Sequence, residues 1–268
     1  MRNIPCALTI AGTDPSGGAG IHADLKTFQE LKTYGMSVIT SVVAQNTTGV
    51  QAVHHIPVNM IEQQLDSVIS DMPLHAFKTG MIPTIEIMEM LAGKVSELDV
   101  PYVMDPVMVA TSGDPLIAED ARTYLRDHLL PMTSLVTPNI SEAEEITGEK
   151  IETLEDMRCA AALIVHEFGA GAALIKGGHL KGDAIDFLYD GESIHSFSSE
   201  RIETTNTHGT GCTYSAAITA YLSQGYSLGD AVKQAKDFVT AAIRHSFSIG
   251  KGNGPTNHWA HRSEGVEQ

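Results

Sequence analysis

Along the chain the spacing of apolar positions keeps changing, and the changes mark elements. Cys6–Ala11 (CALTIA) is an unbroken apolar run that stops in a glycine-rich loop, the pattern of a short buried strand. Ile21, Leu25, Phe28 and Leu31 then recur at helical spacing, with Gly35 as a stop. Ser37–Ala44 (SVITSVVA) is β-branched and short, which predicts one buried strand. The turn Asn46-Thr47-Thr48-Gly49 leads to a further strand over 51–56. Helical periodicity predicts helices over 58–71, 84–97, 117–130, 153–168, 212–224 and 227–247. Between them lie strand patterns at 75–79, 101–104, 134–137, 171–176, 184–189 and 193–197. Such alternation predicts an α/β fold, a mostly parallel sheet covered by helices on both faces. No linker, repeat or low-complexity segment interrupts it, so one domain is expected over 1–268. The polar stretch from about 250 to 268 reads as a loosely held tail, unless Pro255 and Trp259 dock it.

Composition narrows the field. With 268 residues and 43% apolar content, the chain can bury a core without staples. Lys and Arg number 17 against 33 Asp and Glu, a net charge of −16 that repels phosphate backbones and argues against nucleic acid as the main partner. A pocket of N–H groups can still hold a small anion on such a protein. No apolar run reaches the roughly 20 residues that span a bilayer, so no membrane partner is expected. The N-terminus carries one Arg and then Pro5, and its apolar run stops at Gly12 and Asp14, unlike a signal peptide. Cys6, Cys159 and Cys212 form no CxxC pair, which predicts neither a disulfide framework nor a cysteine zinc site and suggests a reducing cytoplasm. The 12 histidines contain no HExxH and read as solvated surface residues.

Open α/β sheets bind ligands beyond the carboxyl ends of their strands, so the loops after strands hold the candidate chemistry. In the loop from Gly12 to Gly20, Gly18, Gly20 and Ala23 match the G-x-G-x-x-A spacing of a dinucleotide fingerprint. Asp14 and Pro15 separate these glycines from the strand, and the next strand ends at Gln45 rather than at an acidic ribose ligand, which disfavours a dehydrogenase. The glycines then either shape a tight turn or let a small substrate approach bare backbone. A second cluster, Asn206 to Thr213 (NTHGTGCT), precedes an apolar small-residue helix. Glycines there leave backbone N–H groups pointing at one spot with the positive helix end behind them, an anion site. No G-x-x-x-x-G-K-[ST] occurs, so this is no P-loop. Cys212 at the helix start is either an inert buried cysteine or a base whose pKa the helix field lowers. His208 is either a base or a surface residue.

Three more clusters follow strands: Asp105-Pro106-Val107-Met108, Thr137-Pro138-Asn139-Ile140-Ser141-Glu142, and Ile175-Lys176-Gly177-Gly178. Singly each has a plain account, as turn residues, a first-turn carboxylate and a solvated lysine. Together they gather carboxylates, an amide, a lysine and an anion hole at one sheet edge, the inventory of phosphoryl transfer with a magnesium nucleotide.

These residues resemble the ribokinase-like superfamily and, within it, the bacterial hydroxymethylpyrimidine (phosphate) kinases of thiamin synthesis. The resemblance runs from TIAGTDPSGGAGIHADLKTF to GPTNHW, through AQNTTGVQ, KTGM, DPVMVA, TPNISEAE, IKGGH and NTHGTGCT in that order. It implies a ribokinase-like three-layer α/β/α sandwich, an alcohol substrate, ATP and Mg2+ as cofactors, and a homodimer. By the same resemblance Gly209, Thr210, Gly211 and Cys212 match the anion hole, with Cys212 in the base position. Asn139 and Glu142 match the motif that organises magnesium and phosphate, and Lys176 a residue near the nucleotide phosphates, with Asp105 placed on the same side. Gly12, Asp24, Gln45 and Met81 match the pyrimidine pocket, to which Val107 is added. Most superfamily members have aspartate where Cys212 stands, and related bacterial pyridoxal kinases share the cysteine. A pyridoxine, pyridoxal or pyridoxamine kinase is therefore the alternative, and a non-catalytic ligand-binding protein the reading from another class. Those pyridoxal kinases differ at the QNT run and carry a lid cysteine where this chain has Ala110, which favours the pyrimidine.

Overall fold

The computed structural model describes residues 4–108, 117–178 and 182–265. Its central sheet grows from apolar runs whose side chains alternate between two cores. In β1 (Cys6–Ala11), Leu8 and Ile10 enter one core and Ala7 the other. The strands β2 (Tyr34–Ile39), β5 (Ala76–Thr79), β6 (Tyr102–Met104), β7 (Leu135–Val136), β8 (Ala173–Ile175), β9 (Ala184–Tyr189) and β10 (Ile194–Ser199) complete eight strands. Their order is β10-β9-β8-β7-β6-β5-β1-β2, and all neighbours run parallel except β8–β9 and β9–β10. The helices are α1 (Gly20–Glu30), α2 (Val58–Ile69), α3 (Ile85–Val95), α4 (Glu119–Tyr124), α5 (Ile140–Thr147), α6 (Leu154–His166), α7 (Thr210–Ser223), α8 (Leu228–Arg244) and α9 (Ala260–Gly265). One core packs the sheet against α2, α3, α4, α5 and α6, and the other against α1, α7 and α8. The expected three-layer α/β/α sandwich with a mostly parallel sheet is what the chain builds.

Three expectations change. The run Ser37–Ala44 is not one strand: β2 ends at Ile39, and β3 (Ser41–Asn46) leaves the sheet to pair with β4 (Gly49–His55) in a two-stranded antiparallel ribbon. Thr40 makes the corner, its N–H donating to Ala11 O at 3.0 Å and its hydroxyl to Met81 O at 2.9 Å. These partners are remote in sequence, so no glycine or proline advertises the break. Gln45 consequently sits half-exposed on the ribbon beside a register shift, not at the end of a buried strand. A helix that periodicity left undelimited, α5, begins at Ile140 behind an Asn139 cap.

The C-terminal stretch is docked over much of its length rather than loose. Thr256, Asn257, His258 and Ala260 are buried, Asn257 N–H donates to Ala242 O at 2.9 Å, and Pro255 bridges to His208. Trp259 stays 54% exposed although its ring packs on Phe247. The last positions of the expected tail, 266–268, lie outside the described residues, as does Ala110.

Candidate active site

Parallel strands end on one edge of the sheet, and that edge collects the polar loops. Gly12 follows β1, Gly80 and Met81 follow β5, Asp105 follows β6, Asn139 comes after β7 and Lys176 follows β8. The amino end of α7 faces them with Gly209, Thr210, Gly211 and Cys212. These residues, together with Asp24, Gln45, Val107 and Glu142, line one cleft of about 780 Å³. That volume suits a small-molecule site.

Two glycine loops interlock at its centre. Gly209 caps α7 with φ of 79°, and a Cβ there would run into the Gly18 carbonyl. Thr210 N–H turns back to Thr207 O at 3.2 Å, and the first helical bond is Thr213 N–H to Gly209 O at 2.9 Å. Gly211 and Cys212 therefore supply the N–H groups that precede helical pairing, whereas the Thr210 N–H expected among them is engaged elsewhere. A Cβ on Gly211 would lie 3.4 Å from Lys176 Nζ and 3.5 Å from Asp105 Oδ2, so this glycine stands directly over that pair.

Charge in the cleft is arranged as buried lysine–aspartate pairs. Lys78 Nζ donates to Asp24 Oδ1 at 2.8 Å, with both side chains fully buried. Thr9 Oγ1 donates to the other Asp24 oxygen at 2.6 Å, so the carboxylate expected in the pyrimidine pocket has both oxygens occupied within the protein. Alternation along β5 explains Lys78, because Phe77 fills one core and the next side chain must face α1 and α7. Lys176 Nζ donates to Asp105 Oδ1 at 3.0 Å. Burial pushes Asp105 up, but the Lys176 and Lys78 ammonium groups outweigh it and hold the carboxyl below its usual range. A third pair, Lys236 and Asp186, is 2.7 Å apart.

Glu142 and Asn139 are bound up in a capping box. Glu142 N–H donates to Asn139 Oδ1 at 2.9 Å, and Asn139 N–H donates to Glu142 Oε2 at 2.8 Å. Burial pushes the Glu142 carboxyl up to about 7; Lys176 opposes the rise and Asp105 adds to it. Among the described residues no group of three or more His, Cys, Asp and Glu could hold a metal ion. Those residues form no cage that would hold a metal ion by themselves.

Cys212 is half-buried at the third position of α7. Its thiol is not lowered as the helix field suggested. Burial pushes it up to about 12, Lys78 and the Gly20 N–H oppose this, and the Asp24 and Asp105 carboxylates reinforce it.

The sequence matches the phosphomethylpyrimidine kinase family over residues 14–257. The chain belongs to that family. Hydroxymethylpyrimidine/phosphomethylpyrimidine kinase of Staphylococcus aureus is 48% identical over 265 residues, which cover 97% of this chain and 96% of that protein. Thiamine biosynthesis bifunctional protein ThiED of Geobacter sulfurreducens is 49% identical over 253 residues, 94% of this chain and 51% of that protein. The solved ADP complex of Bacillus subtilis pyridoxal kinase superposes with a TM-score of 0.90 at 43% identity, over 97% of this chain and 99% of that one. This family member is accordingly a kinase.

Asp14, which the sequence marked only as separating β1 from the glycines, organises the first glycine loop. It accepts from Ser16 N–H and hydroxyl, Gly18 N–H, Ala19 N–H and His208 Nε2, the last at 2.7 Å. Burial pushes its carboxyl up, but these donors and the Gln45 side chain hold it well below the usual carboxylate range. His208 is thereby neither a free base nor a surface residue; it ties the first glycine loop to the second. The Asp-Pro-Ser-Gly turn motif was the available signal for Asp14, and the lysine inside the apolar stretch AFKT was the signal for Lys78.

Proposed function

We propose that this kinase transfers the γ-phosphoryl of ATP to the hydroxymethyl group of 4-amino-5-hydroxymethyl-2-methylpyrimidine, and then to the resulting monophosphate, in thiamin biosynthesis. The observation that carries the substrate is the Asp14–Gln45 contact. Asp14, held ionised at neutral pH by its donors, draws the NH2 end of the Gln45 amide toward it, which leaves one N–H and the carbonyl oxygen for a ligand. A donor beside an acceptor matches the ring nitrogen and exocyclic amine of an aminopyrimidine. Pyridoxal has no such adjacent pair.

In the reaction the substrate hydroxyl oxygen forms a bond to the γ-phosphorus while the bond to the bridging oxygen of ADP breaks. Gly211 and Cys212 N–H groups hold the transferring group, and Lys176 faces the same point. Cys212 accepts the hydroxyl proton in its thiolate form, a minor species at neutral pH with the thiol at about 12. Magnesium carried on the nucleotide supplies neutralisation of the phosphate charge. Glu142 and Asn139 are the side chains of this chain that would hold that assembly.

A homodimer in the cytoplasm completes the reading. The two-stranded β3–β4 ribbon leaves Val42 exposed on one face and Val53 on the other, apolar side chains that a second copy would cover, and sedimentation tests it. Among the described residues no helix is long and apolar enough to cross a membrane. The fold likeness to B. subtilis pyridoxal kinase favours pyridoxal phosphorylation as the second reading. ADP release from Mg·ATP on adding the hydroxymethylpyrimidine tests the proposal. Thermal stabilisation by the pyrimidine without ADP release would make the protein a binder instead.

A further inference from the structure

Of the three buried lysine–aspartate pairs along the cleft, Lys236–Asp186 touches none of the groups placed at the reacting atoms. Asp186 lies on β9 and Lys236 on α8, both nearly inaccessible, with Nζ to Oδ2 at 2.7 Å. A buried ion pair of this kind adds little stability over apolar residues of the same volume. The other Asp186 oxygen has a specific task, since Oδ1 accepts the Gly177 N–H at 2.9 Å. Gly177 is pressed so closely on β9 that a Cβ would run into the Ile185 carbonyl.

The residue before it, Lys176, is held from the opposite side. Its N–H donates to Pro138 O at 2.9 Å, and it bridges to Asn139. Two successive N–H groups are thus anchored on opposite neighbours, β9 on one side and the loop after β7 on the other. That fixes the backbone at Lys176 and aims its side chain at Asp105 beneath Gly211. We propose that Asp186 and Lys236 are a positioning pair: Asp186 holds the Gly177 N–H, and with it Lys176 at the transferring phosphoryl, while Lys236 holds the Asp186 carboxylate in place. The buried Tyr214 hydroxyl also faces the Asp186 carboxylate, but as a neutral group it leaves that charge to be balanced by Lys236. The pair needs no contact with either substrate. It rests on Lys176 facing the phosphoryl group, as in the function proposed above.

Lys236→Met leaves Asp186 as an unpaired buried carboxylate that shifts or repels the loop. Lys236→Met combined with Asp186→Asn removes both charges, and the asparagine carbonyl still accepts the Gly177 N–H. Steady-state kinetics with ATP and the hydroxymethylpyrimidine should show Lys236→Met with kcat/KM for ATP lower by about tenfold or more and the pyrimidine KM within about twofold of native. The double variant should return to within about threefold of the native kcat/KM for ATP. It carries the test even if the single variant does not fold, because it buries no charge. A double variant that folds and is as poor as the single, or as Lys176→Ala, overturns the pair and makes Lys236 a direct phosphate contact. Native kinetics in Lys236→Met overturn it as well. Lys176→Ala separates the levels: if it keeps native turnover, the phosphoryl-facing role of Lys176 fails and the pair with it. If it loses turnover, only the pair is judged by the double variant.

Discussion

Glu142→Gln isolates a carboxyl that the fold works against. In the free protein burial raises Glu142 from its ordinary 4.5 to about 7, so above neutrality the native state carries a charge that the unfolded chain solvates more easily. A raised carboxyl binds more protons in the native than in the unfolded state. Its contribution to stability is therefore complete below 4.5 and is lost as pH rises through 7. At about 1.4 kcal/mol for each pH unit between the two values, the loss by pH 8 is at most about 3.5 kcal/mol. Glutamine keeps the geometry, because its carbonyl oxygen can accept the Asn139 N–H in the same capping box. It forfeits roughly 0.5 kcal/mol of first-turn carboxylate interaction with the helix dipole. Ligand-free Glu142→Gln should therefore melt near the native protein at pH 5 and roughly 5 °C above it at pH 8. Its kinase activity should fall, with a higher magnesium requirement, if the carboxylate holds the nucleotide assembly as proposed. Differential scanning calorimetry at both pH values, with magnesium titrations of turnover, makes the comparison. A stability difference independent of pH would refute the linkage, and an unchanged magnesium response would return Glu142 to capping alone.

Cys212→Ala should lower kcat by about 10²–10⁴-fold with little change in nucleotide affinity, measured by steady-state kinetics and calorimetry. With the thiol at about 12, native kcat/KM should climb with pH through pH 9, and iodoacetamide should modify exposed Cys159 well before Cys212; a flat pH profile would count against the thiolate. Gly209→Ala should lose about 2–4 kcal/mol in urea unfolding, because positive φ and the Gly18 carbonyl both oppose a side chain. Gly211→Val, free of a positive φ, should stay folded and inactive; a fully active Gly211→Val would remove the anion-hole assignment. Gln45→Leu should cost about 1–3 kcal/mol of preference for the pyrimidine over pyridoxal, read as the ratio of their kcat/KM values.

What the sequence revealed was governed by locality. Strand β1 and the amino end of α7 announce themselves through contiguous runs and glycines, and the loops after parallel strands must share an edge. Lys176, Asp105 and the Gly209–Cys212 turn could thus be placed together before any coordinates. The break at Thr40 depends on Ala11 and Met81, and the docking of Thr256 to Ala260 on α7 and α8, so neither leaves a local mark. The same limit hid the occupied state of Asp24, whose partners Thr9 and Lys78 lie on two other elements. It also hid the thiol of Cys212: the helix start is visible in sequence, but the burial around it and the two carboxylates beside it are not.

The identity of the acceptor is decided most directly by competition. Equal amounts of 4-amino-5-hydroxymethyl-2-methylpyrimidine and pyridoxal are offered to the native protein with limiting Mg·ATP, and the phosphorylated products are resolved by chromatography. The Gln45 amide oriented by Asp14 predicts that the pyrimidine takes most of the phosphate. A product dominated by pyridoxal phosphate would contradict it.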